Sequence, residues 1–161
     1  MMSKTDQTVA AAVAGTIRAG FQEVHDKFRE IVAGLDREAL NWKPHPEANS
    51  IAVLVTHTLG SEREMLAAVR GVIVDRHRPS EFVAEADGKQ LAELIDGADA
   101  HLGEHAGALT AEDMTTARPR GDRQPRPGLE WLVTNYGHAR EHLAQIELTR
   151  QLYSDRSRPK P

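Results

Sequence analysis

Cysteine is absent from the 161-residue chain. That excludes disulfides, thiolate metal sites and a cysteine nucleophile, and it fits a cytoplasmic home. Aromatic residues make up only 4% of the sequence. Few aromatics with plentiful Ala and Leu favour helices packed through small residues over a β-sandwich. No apolar run reaches the roughly 18 residues needed to cross a bilayer, and the N-terminal Met-Met-Ser-Lys-Thr-Asp-Gln lacks the apolar core of a signal peptide. Basic charge is not in excess either. The formal net charge is −4, so no global positive field draws in nucleic acid or an anionic membrane. There is no internal repeat and no Gly-rich phosphate loop. The expectation is one domain over residues 1–153, followed by a polar, Pro-rich tail over 154–161 that frays.

Within that domain, four stretches carry apolar residues at three- and four-residue steps, the period of a helix with one buried face. The first spans about residues 8–34, with Val13, Ile17, Phe21, Val24, Phe28, Ile31 and Val32 on its stripe. His25 is expected at an exposed or boundary position. A loop with two prolines follows, in which Trp42 folds back onto the bundle end, His45 faces solvent, and Asn49 or Ser50 caps the next helix. The second helix runs from about 50 to 69 or 70, the third from about 88 to 109, and the fourth from about 128 to 153. The connection over 71–87 is long enough to cross the end of a bundle, anchored by Phe82. Residues 115–128 hold four arginines and three prolines, which exclude a regular helix. They read as a solvated surface loop, or as a basic lip over a pocket for an anionic substrate, with Arg118, Arg120, Arg123 and Arg126 as its cations. With no strand alternation, the fold class is all-α: a four-helix bundle with long connections between helices two and three and between three and four.

Chemistry enters with histidine. His138 and His142 lie four apart on the fourth helix, so their imidazoles leave one face about 5–6 Å apart at Cβ. Two ring nitrogens at that spacing can meet one metal ion, and a third ligand must come from elsewhere. His57 on the second helix and His101 or His105 on the third are the candidates, and spacing alone does not choose between them. The third helix itself carries an i,i+4 histidine pair, so such pairs arise easily in a chain with eight histidines. Glu62 falls inside the apolar arc of the second helix at 100° per residue. A carboxylate there must be paired, protonated or metal-bound. Glu141 precedes the second histidine of its pair instead of following the first, which rules out the HExxH protease arrangement.

The segment Asn49-Ser-Ile-Ala-Val-Leu-Val-Thr-His57-Thr-Leu-Gly-Ser-Glu62, with His138-Ala-Arg-Glu-His142-Leu-Ala-Gln-Ile146, resembles the DinB-like (DinB/YfiT) superfamily of metal-dependent four-helix bundles. The resemblance covers nearly the whole chain. It implies His57, His138 and His142 as a facial metal triad and leaves His101 and His105 as structural or surface residues. It further implies a divalent transition metal (zinc, nickel, manganese or iron), a helical bundle that often forms a homodimer, and relatives that are thiol S-transferases or mycothiol-dependent maleylpyruvate isomerases. Those isomerases place a glutamate at one of the last-helix ligand positions, where this chain has His138, so their activity is not carried over.

Three neutral imidazoles on a metal leave an open position, at which water or a thiol is more readily deprotonated. The functional expectation is a metal-dependent thiol S-transferase or hydrolase acting on a small molecule with a low-molecular-weight thiol, Glu62 relaying a proton or orienting a ligand. The alternative is a non-catalytic dimeric bundle, a stress or ligand-binding protein with a structural metal or none.

Overall fold

The computed structural model describes residues 3–156. Four long helices form a bundle: α1 (Lys4–Ala33), α3 (Ile51–Val69), α5 (Gly88–Ala106) and α7 (Gly128–Asp155). Shorter helices occupy the connections: α2 (Arg37–Asn41), α4 (Arg78–Glu81) and α6 (Ala111–Thr115). Three of the long helices begin where the sequence can satisfy the orphan N–H groups of a first turn. The Ser3 and Asp6 side chains form a reciprocal capping box at α1, which starts the helix ahead of the apolar periodicity. The Ser50 hydroxyl accepts from the Val53 amide at α3, and Asp87 and Gln90 form a second box at α5. Helix α7 has no side-chain cap and begins directly after Pro127. Gly128 is needed there because a Cβ would run into the Asp113 carbonyl and sit 3.0 Å from Val69 Cγ1. The helix continues through Ser154 and Asp155, past the point expected to fray. The rest of the expected tail, 157–161, lies outside the described residues.

Helix α1 packs on α5 and α7, and α3 packs on the same two. The consecutive long helices α1 and α3 therefore face each other across the bundle axis, which the 36–50 connection is long enough to allow. Phe21, Phe28, Ile51, Met65, Leu66, Leu91, Ile95, Leu102, Leu132 and Ile146 fill the centre, all fully buried. Helix α3 is enclosed most completely, with fifteen of its nineteen residues buried. His57, Ser61 and Glu62 lie among them, so their polar atoms require partners inside the protein. At the bundle end Trp42 packs edge-on against Tyr153, ring centroids 5.6 Å apart. No helix among the described residues is long and apolar enough to cross a membrane.

Two expectations are corrected. Residues 117–127 do not form an irregular loop; they make an antiparallel hairpin of β1 (Ala117–Arg120) and β2 (Arg123–Pro127), with Ala117 opposite Pro127 and Arg120 opposite Arg123. The prolines exclude helix but not this ribbon, because both strands are edges and a missing N–H can face outward. Gly121 takes the turn at φ +58°, a left-handed conformation that glycine adopts without penalty. The second correction is His25, which is fully buried. It sits four residues after Phe21 and three before Phe28, on the apolar stripe itself. Its Nδ1 lies 2.6 Å from Asp99 Oδ1 and its Nε2 2.8 Å from Glu62 Oε2, so the imidazole bridges α5 and α3.

Candidate metal centre

Helices α3 and α7 bring His57, His138 and His142 together. The ring centroids are 5.2 Å apart for His57 and His138, 5.4 Å for His57 and His142, and 4.3 Å for His138 and His142. One nitrogen from each ring lies within 4.8 Å of the others, and no other group of three or more His, Cys, Asp or Glu side chains among the described residues does the same. The His101 and His105 rings meet at a tilt, centroids 4.1 Å apart, but among the described residues no third ligand joins them. His45 is exposed.

The ring nitrogens fit a metal ligand set. His57 Nδ1 lies 2.8 Å from Glu81 Oε2, so Nδ1–H donates to the carboxylate and Nε2 keeps its lone pair. His142 Nδ1 lies 3.1 Å from Gln145 Oε1, which fixes the same tautomer. Among the described residues His138 Nδ1, like His105 Nδ1, is buried with no hydrogen-bond partner, an orphan that a coordinated cation would explain within the three-histidine cluster. Burial lowers the pKa of His57, and burial with the neighbouring His142 and His57 pulls His138 down to about 4. Both imidazoles are therefore neutral near pH 7, the state that binds metal. A donor set of three imidazole nitrogens without thiolate suits zinc, nickel or iron better than manganese, which favours oxygen ligands.

Glu81 and its neighbours carry no signal in the sequence. Glu81 sits on the one-turn helix α4 and also accepts from Arg76 Nε and Nη2, both at 2.7 Å. Arg76 Nη1 donates to Glu64 Oε2 at 3.0 Å, and Arg120 Nε donates to the same oxygen at 2.8 Å. Arg120 Nη2 continues to the Ser61 carbonyl at 2.8 Å and the Ser61 hydroxyl at 2.7 Å. A chain of alternating charge thus runs from His57 to the hairpin. Each buried charge in it has an opposite neighbour, as desolvation requires. Phe82 anchors its connection as expected, packing on the His57 ring with centroids 4.7 Å apart.

The structure places Glu62 elsewhere. It stands five residues after His57, about 140° around the helix, and its carboxylate bonds His25. Glu141 is exposed. Of the four hairpin arginines, Arg118 turns to the Val69 carbonyl and to Asp113, and the Trp131 indole N–H donates back to the Arg118 carbonyl at 2.9 Å. Arg120, Arg123 and Arg126 line a cavity of about 270 Å³ together with Arg76 and Arg78. His57 and His138 belong to the same wall, and among the described residues no acidic side chain does.

The family model of the DinB superfamily matches residues 21–146. Solved structures show the same fold. A DinB-like protein from Bacillus cereus superposes with a TM-score of 0.70 at 16% identity, covering 86% of this chain and 91% of that one. A DinB-like protein from Bacillus subtilis gives 0.68 at 17%, over 90% and 96%. A conserved protein from Enterococcus faecalis gives 0.66 at 18%, over 94% and 98%. No curated protein matches the chain. With a bundle of this topology and a family-model match over residues 21–146, the chain belongs to the DinB superfamily.

Proposed function

We propose that this protein is a metal-dependent enzyme acting on a small molecule, with His57, His138 and His142 holding one divalent transition metal. The observation that carries the proposal is the convergence of three imidazole nitrogens within 4.8 Å at the wall of a cavity. A structural metal is closed off by four protein ligands, whereas a catalytic one has three and an open position. Here three histidines converge, His138 and His142 are only partly buried, and two of the three line open space.

Such a metal acts as a Lewis acid and makes a thiol or water at its open position easier to deprotonate. Thiol transfer or hydrolysis is the reaction class that follows. The residues of the chain then have separable tasks. Glu81 orients His57 through Nδ1, and Gln145 does the same for His142. Phe82 covers one face of His57 and limits water on that side. Glu62, bonded to His25, belongs to the bundle interior, and Glu81 takes the ligand-orienting role expected of it.

Elemental analysis of untagged, full-length protein tests the reading. The expected result is about one divalent ion per chain, lost in His57→Ala and in His142→Ala. Normal metal retention in both variants would overturn it.

A further inference from the structure

We infer that the arginine-lined cavity beside the three histidines is an oxyanion subsite, so that the small molecule taken by this protein carries a carboxylate or phosphate, held by Arg78, Arg123 and the Ser61 hydroxyl. The inference rests on the metal-centre reading only for what the anion is bound next to.

Five guanidiniums line the cavity and share three carboxylates. Arg76 and Arg120 both pair with Glu64, Arg76 also with Glu81, and Arg126 with Glu130. Glu81 is divided further, because it also serves His57. Among the described residues Arg78 and Arg123 have no ion pair; Arg78 lies over the Phe82 ring, 5.1 Å from its centroid. The excess is felt inside the site. Burial is the main reason that Arg120 falls to about 10, and the like charges of Arg123 and Arg76 push in the same direction. Arg120 stays charged at neutral pH, so a negative ligand would relieve the repulsion.

The wall also supplies an aligned neutral donor. The Ser61 hydroxyl oxygen accepts from Arg120 Nη2 at 2.7 Å and from Asn135 Nδ2 at 2.9 Å. Both of its lone pairs are then used, and among the described residues its own proton has no acceptor. Two donors on that oxygen polarise the O–H, which strengthens it as a donor to an anion. Ser61 and Asn135 are buried, so the group is held in place before any ligand arrives. At about 270 Å³ the cavity lies just below the roughly 300–1,000 Å³ usual for drug-sized ligands, so the occupant is a small anion.

Isothermal titration calorimetry on purified full-length protein, with metal content measured in every sample, tests this with inorganic phosphate, succinate and neutral succinamide as probes. One or both anions should bind, the tighter one naming the oxyanion class, and succinamide should not. Arg78→Gln and Arg123→Gln should each weaken anion binding roughly fivefold or more, the loss of one charge-assisted contact at a partly solvated site, with metal content unchanged. His142→Ala, which alters no cavity-lining residue, should still bind the anion and still reject succinamide even as it loses metal, with a weaker affinity where the lost cation had added its attraction. Succinamide binding as tightly as succinate, or wild-type anion affinity in both arginine variants, would overturn the inference. Metal retained in His142→Ala would count against the metal centre alone.

Discussion

Replacing His25 with leucine removes the imidazole from between Glu62 and Asp99 while leaving the space filled. Asp99 keeps Arg29 at 2.6 Å and Gln22 at 3.0 Å. Glu62 keeps nothing comparable: it is buried, burial raises its pKa above the ordinary 4.5, and His25 is what opposes that rise. In the variant the carboxyl must hold a proton. At pH 7, about 2.5 pH units above its ordinary value, that costs about 3 kcal/mol, which agrees with the roughly 3–5 kcal/mol lost when one partner of a buried pair is removed. At pH 5 the same protonation costs only about 1 kcal/mol. The wild type changes less over this interval. The carboxylates beside His25 raise its pKa above 6.5 despite its burial, so the stability it contributes is present in full below 6.5 and is lost as pH rises through the folded-state value. Urea unfolding followed by far-UV circular dichroism should therefore show the His25→Leu variant less stable by about 3 kcal/mol at pH 7, and the deficit should shrink by about 2 kcal/mol at pH 5. Making both partners apolar, His25→Leu with Glu62→Leu, should recover about 2 kcal/mol or more at pH 7. A loss under about 1 kcal/mol at pH 7, or an equal loss at both pH values, would refute the reasoning.

Glu81→Gln should weaken metal binding about 10–100-fold, the usual cost of removing the carboxylate behind a ligand histidine, in competition with a chromophoric chelator. Gly60→Ala should cost both binding and stability. A Cβ there would meet the Glu81 carboxylate and lie 3.4 Å from Arg76 Nε, so metal affinity should fall in the same assay, and urea unfolding should show a loss of about 1–3 kcal/mol, because displacing the buried Glu81 from Arg76 and His57 outweighs the helix preference of alanine. Gly20→Ala should destabilise by about 1–3 kcal/mol in thermal or urea unfolding, since its Cβ would stand 2.8 Å from the Tyr136 ring.

What the sequence makes legible follows from how local each feature is. His138 and His142 are visible because a helix puts i,i+4 side chains on one face, and the buried position of Glu62 is visible for the same reason. The partners are not visible. His25 lies 37 residues from Glu62 and meets it across the bundle axis, and Glu81 lies 24 residues from His57, in a connection without periodicity. His57 stands out as a third ligand only through the family resemblance. A spacing argument treats it, His101 and His105 alike, since the packing of α3 on α7 is a tertiary fact. Residues 115–128 show a different failure. Proline counting excludes helix correctly but says nothing about ribbons, while Gly121-Asp122 between two short extended runs is a two-residue hairpin signal.

The hairpin has a consequence for motion. A two-stranded ribbon is marginal by itself in water, and this one is fastened to the bundle chiefly by side chains: Arg118 to the Val69 carbonyl, Arg120 to Ser61 and Glu64, and the Trp131 indole to the Arg118 carbonyl. These ties sit close together along β1, so the ribbon detaches as a unit or stays, and its opening free energy is set by a few polar contacts while the core remains intact. Amide hydrogens of 117–127 should thus exchange with solvent well ahead of those in α3. Any molecule that bridges ribbon and bundle from within the cavity would slow that exchange in proportion to its occupancy, making the ribbon's own amides a reporter of what the protein binds.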